Sequence, residues 1–158
     1  MRRADREVTI PSEIYGIMEK CEILELALND EDGFPYVIPM NFGFALENDA
    51  PVIYLHGAKE GKKLDLIKKD SRCAFSMSTS HELILGKVAC AATWKYESVC
   101  GKGRIAFIEG GEGIRALTEL MRKYDPEHEH VFDERHLKAV SVMKIEIEQL
   151  TGKRRMTK

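Results

Sequence analysis

The chain has 158 residues, a length that fits one domain over residues 1–158 with a core of its own. Hydrophobic residues make up 44% and charged residues 32%, and the formal net charge is -2, the profile of an ordinary globular protein with no basic field for nucleic acid. Met1 to Glu7 mixes charges with no apolar stretch behind it, and no run approaches the roughly 18 apolar residues that cross a bilayer, so a cytoplasmic protein without membrane partners is expected.

Pro11-Ser12-Glu13, followed by Ile14, Ile17 and Met18 at helical spacing, predicts a short N-terminal helix with proline at its start. Leu24, Leu26 and Leu28 then alternate, and the turn-forming run Asn29-Asp30-Glu31-Asp32-Gly33 closes them, as in a strand entering a hairpin. The partner runs from Tyr36 to Leu46, with Pro39 marking an edge or a bulge because proline donates nothing to a ladder. Val52 to His56 is a third strand. Residues 59–70 break the alternation: Leu64 and Ile67 are three apart among lysines, which predicts a helix. Cys73 to Met77 returns to strand. Residues 80–95 carry the weakest pattern and predict only a short strand at Val88–Ala91.

Tyr96 to Ile108 is one long extended run in which Gly101 and Gly103 mark a bend or a close backbone approach. Ile114, Leu117, Leu120, Met121 and Tyr124 then line one helical stripe, a polar loop follows, and Val140 to Leu150 closes the chain as a strand. Six or seven strands that do not alternate with helices disfavour a parallel doubly wound sheet. A mainly β fold with short helices, closed as a mostly antiparallel barrel, leaves fewer exposed edges and is the predicted architecture. Cys21, Cys73, Cys90 and Cys100 form no C-x-x-C pair and are expected to be reduced and buried.

Two nucleotide-binding patterns fail on context. Gly101-Lys102-Gly103-Arg104-Ile105-Ala106 fits G-x-G-x-x-A but continues as strand where the dinucleotide fingerprint must open a helix. Gly57-Ala58-Lys59-Glu60-Gly61-Lys62-Lys63 is one residue short of a P-loop and has no Ser or Thr after the lysine. That segment is still the most suggestive in the chain. Lys59, Lys62 and Lys63 crowd the first turn of the predicted helix, where the partial positive charge of a helix N-terminus disfavours them unless an anion is near. A phosphate would resolve the conflict; a solvated lysine face is the alternative, and charge patterning leaves both open.

His56 ends a strand just before this loop, where it is either structural or a proton donor near neutral pH. Asp125, His128, His130, Asp133 and His136 lack any recognised ligand spacing, so a solvated loop and no metal are expected. His81 and Trp94 are read as packing residues. No G-x-S-x-G, H-E-x-x-H or Cys/His pairing supplies a hydrolase nucleophile.

Val37-Ile38-Pro39-Met40-Asn41-Phe42-Gly43, the run Tyr54 to Ile67, Tyr96 to Gly103 and the tail Thr151-Gly152-Lys153-Arg154-Arg155 together resemble the pyridoxamine phosphate oxidase-like FMN-binding split barrels, in their nitroimidazole resistance or Nim-type branch. The resemblance implies a split β-barrel that forms a homodimer, with FMN in a groove between two subunits. It places Lys62 and Lys63 at the FMN phosphate with Lys59 close by, and Ile38, Pro39, Met40, Asn41 and Phe42 along the isoalloxazine ring. It sets His56 beside the ring or ribityl chain, as the candidate for proton delivery, and brings Ser98 in from the long strand. The arginine constellation that would recognise pyridoxine phosphate is missing, which argues against oxidase activity on that vitamin. The implied activity is FMN-dependent reduction of a small acceptor, nitroaromatics among them, by an external reductant; a non-catalytic flavin- or haem-binding sensor or carrier is the alternative.

Overall fold

A computed structural model describes residues 3–156. In chain order the elements are β1 (Glu7–Val8), α1 (Pro11–Lys20), β2 (Leu24–Asn29), β3 (Pro35–Met40), β4 (Phe42–Glu47), β5 (Ala50–Gly57), α2 (Lys62–Lys69), β6 (Arg72–Ile84), β7 (Thr93–Ile108), α3 (Gly110–Tyr124), α4 (Glu134–Ala139) and β8 (Ser141–Arg155). The strands form one sheet in the order β3-β2-β6-β7-β8-β5-β4, with β1 added to β8. Every pairing is antiparallel. The strands at its two ends, β3 and β4, are consecutive in the chain and separated only by Asn41. The sheet therefore closes on itself at this corner and becomes a barrel.

Alternation decides what fills the barrel. Leu24, Leu26 and Leu28 on β2 meet Phe75 and Met77 on β6, Val99 and Ile105 on β7, Met143 and Ile145 on β8, and Ile53 and Leu55 on β5. Ile14, Ile17 and Met18 of α1 and Leu64, Leu66 and Ile67 of α2 complete the same core. Each such side chain, fully buried, contributes about 1.5–3 kcal/mol. α3 packs outside the barrel, where Ala116 and Leu117 cover Val52, Tyr54 and Val142. It comes so close to β4 that a Cβ on Gly43 would stand 2.7 Å from the Leu120 Cα.

Several expectations change. The run Tyr36 to Leu46 is two strands rather than one, because the chain turns at Asn41 and changes partner from β2 to β5. Val88–Ala91 is not a strand; a 3-10 turn spans Ala89–Ala91, and the illegible segment is mostly the continuation of β6 and β7 into a long hairpin. Its periodicity is broken at a register shift between Thr79 and Glu82, where Ser80 has a positive φ of 59°. The polar loop contains α4, whose N-terminus is capped by Asp133 and His136. β8 runs on to Arg155. Cys21 and Cys73 are buried, but Cys90 and Cys100 are exposed, and all four are free. The glycine expectation stands: a Cβ on Gly103 would lie 2.0 Å from the Glu146 carbonyl oxygen, beside a register shift between β7 and β8.

Candidate functional site

The site begins where β5 runs out of barrel. His56 pairs with Val142 and Gly57 with Ser141, after which the chain turns through Gly61, at φ 128°, into α2. Gly61 serves as N-cap, so the helix opens at Lys62 rather than at residue 59. The two lysines that follow go separate ways. Lys62 is exposed, pairs with Asp30 of the β2–β3 turn and lies 5.4 Å from the Tyr36 ring centroid. Lys63 folds back across Gly57, where a Cβ would stand 2.6 Å from its Nζ, and reaches the Met40 sulfur at 3.2 Å.

That thioether is a weak acceptor. Among the described residues no carboxylate lies within 4.0 Å of the Lys63 ammonium. Burial pushes its pKa down. His56 shares the difficulty: its Nδ1 is buried and has no hydrogen-bond partner. Burial first, and the Lys63 ammonium second, hold its pKa below the ordinary histidine value. A half-buried cation without an anion thus sits near a neutral imidazole with an unused nitrogen, an arrangement that lacks a polar partner.

The other predicted residues divide. Met40 and Phe42 are buried, Ile38 is half-buried, and Pro39 and Asn41 are exposed along the closing corner. The corner is pinned from outside: the Phe42 N–H donates to Tyr124 Oη at 3.0 Å, and that hydroxyl donates to the Glu22 carbonyl at 2.6 Å. Lys59 lines a cavity of about 450 Å³ with Phe107, Glu109, Leu137, Lys138 and Val142, the last being the strand partner of His56. Ser98 lies opposite Lys153 near the other end of β7. From there to Ile108, the β7 residue level with Val142 and so with His56, is ten residues or about 33 Å of strand. One chain therefore joins His56, Lys63 and Met40 and leaves Ser98 remote.

Sequence reasoning missed the partners. Asp30 and Glu31, read only as turn formers, reach Lys62 and Lys69 of α2, the second pair at 2.6 Å. Glu97, a buried acid, accepts from Lys20 at 2.8 Å and Arg154 at 2.6 Å and ties α1 to the barrel. The histidine loop is a local clamp in which His128 and His130 each meet Asp125 at 2.7 Å. Among the described residues no three ligating side chains could hold a metal, and no helix is long and apolar enough to cross a membrane.

A family model of pyridoxamine 5'-phosphate oxidase matches residues 11–154. The chain belongs to this family. Its split-barrel fold recurs in a candidate 5-nitroimidazole antibiotic resistance protein of Bacteroides thetaiotaomicron, 30% identical, with a TM-score of 0.79 over 93% of this chain and 85% of that one. A FAD and heme binding protein of Mycobacterium smegmatis is 16% identical, with a TM-score of 0.84 over 96% of this chain and 74% of that one. A FAD-binding protein of Mesorhizobium loti is 21% identical, with a TM-score of 0.65 over 96% and 98%. The latter two likenesses speak to the fold. No curated protein matches the chain.

Proposed function

We propose that this family member binds FMN and acts as a flavin-dependent oxidoreductase on a small acceptor, the Nim-type nitroaromatics being the first class to test. The observation that carries the reading is the Lys63 ammonium, half-buried beside His56 with only a thioether to contact. A phosphate dianion is the partner such a group lacks, and the first N–H groups of α2 point the same way. Lys62 is exposed and is free to exchange Asp30 for the phosphate. Ile38 to Phe42 run along the barrel corner, where an isoalloxazine ring would lie against them.

Bound FMN would supply the electron transfer, and the chain supplies binding, orientation and electrostatics. His56 stays neutral at pH 7, so its ring carries one N–H and one free acceptor nitrogen. That state suits it to contact the acceptor or to pass it a proton. Ser98 joins such a site only from a second copy, which favours a homodimer with the β7 face of one subunit against the β5–α2 corner of the other.

The FAD and heme protein of Mycobacterium smegmatis supports a second reading, a flavin or haem carrier without turnover. Purification separates the two. The flavoenzyme purifies as a yellow protein that releases FMN on denaturation and is bleached by a reductant and recoloured by an acceptor. A red preparation favours the haem carrier. A colourless protein that cannot be reconstituted with FMN contradicts the flavin reading.

A further inference from the structure

We propose that Lys123 and Tyr124, consecutive residues on the last turn of α3, are positioning residues for the flavin ring: they act through Phe42, by holding the barrel corner against which the ring is seated. The role rests on the flavin reading and concerns the ring end of the ligand, not its phosphate. At Met40 the chain leaves β2 and at Phe42 it joins β5, so the ladder changes hands across Asn41. A corner of this kind keeps its shape when groups outside the sheet partner the backbone there.

Both α3 residues act at Phe42. Tyr124 uses its hydroxyl twice, accepting from the Phe42 N–H at 3.0 Å and donating to the Glu22 carbonyl at 2.6 Å. Lys123 donates to the Met18 and Glu19 carbonyls at 3.0 and 2.8 Å, while its ammonium stands 4.6 Å from the Phe42 ring centroid. Met18 and Glu19 lie in the last turn of α1, where the partial negative charge of a helix C-terminus attracts a cation. A lysine on a solvated helix face would extend into water. Lys123 is half-buried instead, and burial pushes its pKa down. One turn of α3 thus ties the backbone and the buried ring of Phe42 to the end of α1 and the start of β2. The other side of the corner is held by Lys63 of α2, which reaches the Met40 sulfur at 3.2 Å. A thioether is a weak acceptor, so a phosphate draws Lys63 away from it. With the phosphate bound, the α3 clasp is what keeps residues 40–42 in place under the ring.

Tyr124→Phe removes both hydrogen bonds with little change of shape, and Lys123→Met takes the cation from the Phe42 ring. Flavin-free protein of each variant is titrated with FMN and with riboflavin. Each variant loses about three- to tenfold in affinity by the same factor for the two flavins, so the preference for the phosphate stays as in the natural protein. The midpoint potential of bound FMN moves towards that of free FMN, a change that lost stability alone would not produce. Leu117→Ala separates the two effects: it loosens the middle of α3 over Val52 and Tyr54, lowering the melting temperature while flavin affinity and potential hold. Should Tyr124→Phe fold poorly, Lys123→Met carries the test. Affinities and potential indifferent to both α3 variants, a loss confined to FMN, or an equal loss in Leu117→Ala overturns the role and leaves the flavin reading standing. A natural protein that binds neither flavin sinks the flavin reading, and this role with it.

Discussion

Lys63 and His56 are individually unremarkable residue types whose setting gives them meaning. An ammonium drawn halfway into protein without a carboxylate is held there by the fold at some cost to stability, so Lys63→Met leaves the flavin-free protein equally stable or raises its melting temperature. A fall of several degrees would mean that Lys63 is structural. His56 titrates below 6.5 by proton NMR and moves up in the Lys63→Met variant. Above 6.5 folded and unfolded chains are both largely neutral at this residue, and as pH falls the unfolded chain protonates first, so the folded state loses stability below 6.5. The sequence showed which lysines cluster but not which are neutralised. Asp30, the partner of Lys62, is distant along the chain and was legible only as a turn former.

Elements show the same division between local and non-local information. Runs with clean alternation or helical stripes, such as Leu24–Leu28 and Ile114–Tyr124, fold as their patterns dictate. Asn41 does not announce itself, because a chain that leaves one strand partner for another keeps the same composition on both sides of the corner. The β6–β7 hairpin was obscured by the shift at Ser80, which breaks the period-two signal. The contact of α3 with the barrel is tight enough to test singly: Gly43→Ala forces the Leu120 backbone outward and lowers stability by about 1–3 kcal/mol in thermal or urea unfolding. A neutral result would mean that α3 rides loosely on β4.

For the whole molecule, the closed barrel and its family were legible because order and spacing of motifs span nearly the whole chain. The homodimer was implied by that resemblance alone, since a partner leaves no local period in the sequence. The long β6–β7 hairpin exposes Leu83, Leu85, Val88 and Trp94, an apolar tip that suits burial against a second copy. If the homodimer proposed above also buries this tip, Leu85→Lys with Trp94→Lys lowers the sedimentation coefficient towards that of a monomer; sedimentation of the natural protein as a monomer, or sedimentation unchanged by the two substitutions, would take the tip out of any interface. In the proposed function Lys63 awaits a phosphate. Titrating flavin-free protein with FMN and with riboflavin, which lacks the phosphate, tests it by fluorescence quenching. FMN binds tighter by about tenfold or more in the natural protein, and the difference collapses in Lys63→Met. Equal affinities for the two flavins, or an FMN preference that survives the loss of Lys63, would contradict it.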